Sequence, residues 1–155
     1  MTAANTTEPI SIQLNTLYQD EYIIIQLDEH IKFVYVEWLQ HPSSEIFRQN
    51  FKIAIEACIS NNCQYWLSDA RAIHYVEFAD QNWMLELIYP LLPKSNLLKF
   101  ARVNTLESIA LMDVARVCTK LEQLPEFKLK TQLEVFNYKA TALDWMFDGS
   151  LATEL

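Results

Sequence analysis

A carboxylate, a guanidinium and an imidazole at Asp69, Arg71 and His74 form the one dense group of chemistry-bearing side chains at a strand end. In open α/β sheets that C-terminal strand edge is where ligands and catalytic groups collect. Used functionally, Arg71 would clamp an anion and His74 would act as an acid or base. Used structurally, Asp69 would bond loop amides and Arg71, fixing a turn that has no glycine. Ion pairs of that kind imitate functional ones, and the structural use is the expectation. Asp80 stands where a helix should begin, so an N-cap explains its position without a catalytic role.

Other chemistries find less support. His30, His41 and His74 are far apart, and none pairs with a second ligand one helical turn away. Cys58 and Cys63 match no recognised zinc spacing, and Cys118 lies beside an apolar stripe, so all three thiols are expected in the core. The single glycine, Gly149, removes every glycine-dependent phosphate cradle and the G-x-S-x-G nucleophile elbow. The expectation is a non-enzyme with no catalytic residue, no metal and no cofactor.

Twelve basic against twenty acidic side chains give a net charge of −8, which opposes nucleic acid and anionic membrane alike. Residues 94–130 run against that balance with seven basic groups and four acidic ones. No Arg/Lys cluster is interleaved with aromatics there, so the stretch reads as solvated faces. The longest uncharged run, Ala57–Ser68, is twelve residues and too short for a membrane helix. An N-terminus without positive charge or apolar run, with an odd cysteine count, points to reduced thiols and a cytoplasmic address.

The elements that position these groups fit one domain at residues 11–149, with a disordered leader at 1–10 and a tail at 150–155. Tyr22–Leu27 and Ile31–Trp38 are β-rich runs at hairpin spacing, and Ser11–Leu17 is a candidate preceding strand. Ser43 caps a helix that sets Phe47, Phe51, Ala54, Ile55 and Cys58 on one face. Cys63–Leu67 is a buried strand, and Ser68–Glu77 a loop. A second helix runs from Asp80 to Leu92, bent or ended by Pro90. It is apolar nearly all round, which means burial on two sides. Leu97–Val103 is a strand, and Asn104–Glu107 opens a third helix with capping-box spacing and the stripe Leu106, Ala110, Val114, Val117, Leu121. A strand near Lys130–Phe136 and a helix over about 139–147 close the chain. Strands joined through single helices pair in parallel, so the class is α/β with a mixed sheet of about four to five strands and about four helices.

Trp66-Leu67-Ser68-Asp69-Ala70-Arg71 at a strand end, Asp80-Gln81-Asn82-Trp83 at a helix start and Tyr89-Pro90 at its end, set in this element order, resemble the STAS-like superfamily. The similarity is nearest to small stand-alone bacterial STAS-like domains of the anti-sigma factor antagonist kind, over about residues 20–147. It implies a non-catalytic regulatory or protein-binding domain that self-associates. Phospho-switched antagonists carry Asp-Ser or Asp-Thr at this helix start. Here Ala79-Asp80-Gln81-Asn82 has no hydroxyl, so the resemblance does not bring the switch with it.

Apolar residues off the core stripes carry the rest. Ile109, Leu111 and Met112 on the third helix, with Met84, Leu85, Ile88 and Leu91 on the second, exceed what one buried face needs. Such a patch is seldom left uncovered on a monomer. The expectation is a homodimer or a protein partner seated on the second helix, at Asp80, Gln81, Trp83, Met84 and Ile88, with Asp69, Arg71 and His74 adding polar specificity. The alternatives are deeper burial of both helices, a carrier or sensor of a small apolar molecule or lipid, and a small enzyme using Asp69, Arg71 and His74.

Overall fold

The computed structural model describes residues 9–108, 110–124 and 130–150, with the backbone alone at 92, 110, 111 and 114. Six strands, β1 (Asn15–Gln19), β2 (Ile23–Asp28), β3 (Phe33–Trp38), β4 (Tyr65–Asp69), β5 (Lys99–Val103) and β6 (Gln132–Phe136), form one sheet in sequential order. β1, β2 and β3 pair antiparallel, and β3 to β6 pair parallel. Among the described residues four α-helices accompany them: α1 (Ser44–Ser60), α2 (Phe78–Leu91), α3 (Ala110–Glu122) and α4 (Lys139–Phe147). The mixed α/β sheet and the helix count match the sequence reading, while the sheet has six strands rather than four or five. The extra strand is β1, an edge strand whose side chains are mostly exposed, so its apolar alternation is faint.

Because the parallel strands add in one direction, right-handed crossovers leave every connecting helix on the same face. That face carries α1, α2 and α3 over Ile23, Ile25, Val34, Val36 and Trp66. The opposite face receives α4, which follows the last strand and buries Ala142, Leu143, Met146 and Phe147 against Phe33, Leu67, Ala101 and Val103, with Ile10, Ile12 and Leu14 of the segment before β1 packed beside it. The alternation is strict along β4 and β5: Trp66, Phe100 and Arg102 point to the three-helix side, and Leu67, Ala101 and Val103 to α4.

α1 starts as its sequence predicts, with the Ser43 hydroxyl accepting from the Ile46 amide at 3.3 Å. Its predicted stripe is buried, with Asn50 added to it. Asn50 donates to Asp20 at 3.1 Å, tying the helix to the turn before β2. The hairpin loop is Glu29–Lys32, one residue longer than expected. Lys32 takes a left-handed φ of 57° where a glycine would be easier, and Asp28 holds the turn by accepting from the His30 and Ile31 amides.

Three expectations are corrected. α2 begins at Phe78, so Asp80 lies inside its first turn and is not the cap. α3 begins at Ala110, because Asn104 is buried and its side chain is engaged by Arg102 and the Ala70 carbonyl. Leu106 therefore precedes the helix and is 67% exposed instead of leading the core stripe, while Val117 and Leu121 are buried as expected. The surplus apolar side chains of α2 do not form a surface either: Met84, Leu85 and Ile88 are buried between α1, α3 and the sheet. Ile109 and the side chains of Ala110, Leu111 and Val114 lie outside the described residues, as do positions 1–8 of the expected leader and 151–155 of the expected tail.

Candidate functional site

Asp69 ends β4 with its side chain on the α4 side of the sheet, where it is nearly enclosed. Arg71 forks onto it, Nε to Oδ1 at 2.9 Å and Nη2 to Oδ2 at 2.7 Å, and the Arg71 amide adds a longer bond. Lys139 Nζ stands 3.6 Å from Oδ2 and 3.8 Å from Glu37, while the Tyr35 hydroxyl donates to Glu37. Burial pushes the Asp69 carboxyl up, but the Arg71 fork and amide, with the Lys139 charge, outweigh it and hold the group below its ordinary value. Its partner gains correspondingly, and Arg71 is raised by the same bond. Burial and the bond to Glu37 push the Tyr35 phenol up. A carboxylate so thoroughly satisfied is a poor base, and Asp69 and Arg71 make the pair that their structural use requires.

His74 does not join that pair by any hydrogen bond. Its amide donates to His41 Nδ1 at 3.2 Å and its ring stacks on His41 at 5.3 Å, with Tyr75 against the other ring at 4.4 Å. Burial, and then the neighbouring His74, lower the His41 pKa. The remaining candidates belong to α2. Asp80 is buried and accepts from Ser44 Oγ and Arg48 Nε, both at 2.7 Å, so it ties α2 to α1. Gln81 is buried between the Val76 carbonyl and Arg116 of α3, whose second nitrogen reaches Asn82. Trp83 is half-buried, edge-on to Phe51 with Arg48 over its ring. Met84 and Ile88 face the interior.

That interior holds a cavity of about 70 Å³, several times what one water needs. It lies between the sheet and α1, α2 and α3, walled by Phe51, Ile55, Trp66, Met84, Ile88, Leu97, Phe100, Leu121 and Leu133. Its lining is almost wholly apolar, and Arg102 intrudes on it from β5. Arg102 is 3% exposed. Its Nε donates to Asn104 Oδ1 at 2.9 Å, and its Nη2 has no hydrogen-bond partner. The indole nitrogen of Trp66 in the same wall is also without a partner. Burial lowers the Arg102 pKa to about 10, against the opposing pull of Cys118 and Asp113. Asp113 accepts from the Val76 amide at 2.8 Å, and burial pushes the Cys118 thiol up to about 11.

The sequence reading missed Arg102. The available signal was the period of two in β5: Phe100 and Arg102 share a face, and that face packs beneath three helices. Cys58 and Cys63 are buried free thiols, and the hydrogen bond between them raises the first and, helped by Lys32, lowers the second. Among the described residues no three histidine, cysteine or carboxylate side chains converge on a metal position, and no helix is long and apolar enough to cross a membrane. Comparison with known proteins finds no matching family model, no matching curated protein and no matching solved structure.

Proposed function

We propose that this chain is a non-catalytic module that takes up a small apolar molecule between its sheet and the α1–α3 layer, and that occupancy of this space is its signal. The observation that carries the reading is the apolar cavity itself, built by side chains that α2 holds in surplus for a packed core. Interiors are normally close-packed, and space of this size forfeits contact energy unless something fills it. Thermal unfolding of ligand-stripped protein with added 1-octanol tests it. A ligand at a hundred times its Kd stabilises by about 2.7 kcal/mol, which is roughly 5–11 °C in Tm for a chain of this length. Ile88→Trp fills the space and should remove the response; no shift in the wild type at saturation refutes the reading.

A second reading is a regulatory, protein-binding domain of the STAS-like kind, cytoplasmic and homodimeric. The hairpin followed by three helix–strand units and a closing helix supports the resemblance. Exposed apolar side chains on α2 and α3 favour the binding role: Phe78 is 63% and Met112 76% exposed. Arg116 links the two, lying 4.2 Å over the Phe78 ring and one turn after Met112. Light scattering of the wild type against Phe78→Ser/Met112→Ser decides it, a dimer that becomes monomeric supporting the reading and a wild-type monomer at high concentration overturning the dimer. An enzyme using Asp69, Arg71 and His74 is the least supported of the three, since the first two are spent on each other.

A further inference from the structure

The Arg102 guanidinium is an expensive group to leave in such a place. A buried charge without a partner is normally paired, neutralised or absent. Its Nε is satisfied by a neutral amide oxygen, no carboxylate is paired with it among the described residues, and Nη2 faces no acceptor. Trp66 and Arg102 sit on neighbouring strands of the same face, since Trp66 pairs with Phe100 and Ser68 with Arg102. Two unfilled donors, Nη2 and the Trp66 indole N–H, thus belong to one wall of an otherwise apolar cavity.

We infer that the cavity is a site for an amphiphilic monocarboxylate, its hydrocarbon part among Phe51, Met84, Ile88 and Leu121 and its carboxylate on Arg102. This deepens the proposal that the cavity takes up an apolar molecule, and rests on it. A carboxylate is the anion that fits. It is planar, carries one negative charge against the one uncompensated positive charge, and its two oxygens match the two unfilled donors. A phosphate monoester would bring a larger charge and further oxygens than one guanidinium in an otherwise apolar wall can balance. A neutral alcohol or hydrocarbon would fill the space but leave the guanidinium as it is.

The test compares octanoate with 1-octanol at pH 8 by isothermal titration, on wild-type protein and on Arg102→Met, Trp66→Phe and Ile88→Trp. A hydrogen bond to a charged group contributes enough for the wild type to bind octanoate about tenfold or more tightly than octanol. Arg102→Met should bring the two ligands within about twofold of each other while octanol binding persists. Trp66→Phe should weaken octanoate more than it weakens octanol, by a smaller factor than Arg102→Met does, and Ile88→Trp should abolish both. Equal affinity of the wild type for the two ligands overturns the carboxylate assignment and leaves the apolar carrier standing. A preference for octanoate that survives Arg102→Met overturns it equally. If neither ligand binds the wild type, the carrier reading falls and takes this one with it.

Discussion

Arg102→Met should make the ligand-free protein more stable. Arg102 is enclosed, and its charge is disfavoured enough to bring its pKa from the ordinary arginine value down to about 10, a difference equivalent to about 3 kcal/mol. Against that gain stands the loss of one hydrogen bond to Asn104, about 1–2 kcal/mol, since Asn104 Oδ1 is left without its donor. Methionine keeps the stem in contact with the apolar wall, so the net expectation is a gain of about 1–2 kcal/mol, in line with other buried charges replaced by apolar residues. Urea unfolding reads this as a higher midpoint at unchanged slope. The pH dependence gives an internal check. A base whose folded pKa is depressed destabilises at every pH below that value. The penalty is relieved between the folded pKa near 10 and the higher, ordinary value of the unfolded chain, where the unfolded chain binds the extra proton. The advantage of the variant should therefore be constant through neutral pH and shrink above pH 10. A variant less stable than the wild type by 1 kcal/mol or more would show that Arg102 is a net contributor to the apo fold, and the view of it as an unpaired charge would be wrong.

Other outcomes follow from the same contacts. Asp80→Ala leaves Ser44 and Arg48 without their acceptor at the α1–α2 junction, and calorimetry should show a loss of about 2 kcal/mol, moderated because Arg48 is partly solvated. Asp69 has a depressed pKa, so its contribution is present above the ordinary carboxylate value and lost as pH falls through its folded value. Asp69→Asn should lower stability at pH 7 and flatten the acid limb below about pH 4 in urea titrations. Cys58 and Cys63 should react with a thiol reagent only as fast as the protein opens, so the labelling rate should rise with urea in step with unfolding; rapid stoichiometric labelling of the native protein would contradict their enclosure.

The α1 stripe and the β2–β3 hairpin were legible because each is a long or strongly periodic segment whose own residues decide its conformation. The parts that were not legible depend on residues distant in sequence. Asp80 has the composition of a cap, and only the arrival of Ser44 and Arg48 from α1 turns it into a tie between helices. Asn104 has the composition of a capping box, and only Arg102 and the Ala70 carbonyl claim it for the end of β5. The apolar surplus of α2 was visible, but not its direction: a helix packed on three sides and one with a bare surface have the same composition. In the candidate site, Asp69 and Arg71 paired as expected, whereas His74 went to His41, and Arg102 emerged only once β5 had been placed under the helices.

The one-sided arrangement of the crossover helices also orders events during synthesis. Three of the helices can dock as soon as the strands flanking them are complete, but Phe33, Leu67, Ala101 and Val103 wait for α4, which ends at Phe147. At ribosomal rates of about 5–20 residues per second, this side of β3 lacks its helix for roughly 6–20 s after it emerges. Until then Ile10, Ile12 and Leu14, made before β3, are the apolar side chains already at hand to shield it, so the nascent sheet passes through a stage with one face finished and the other only partly covered.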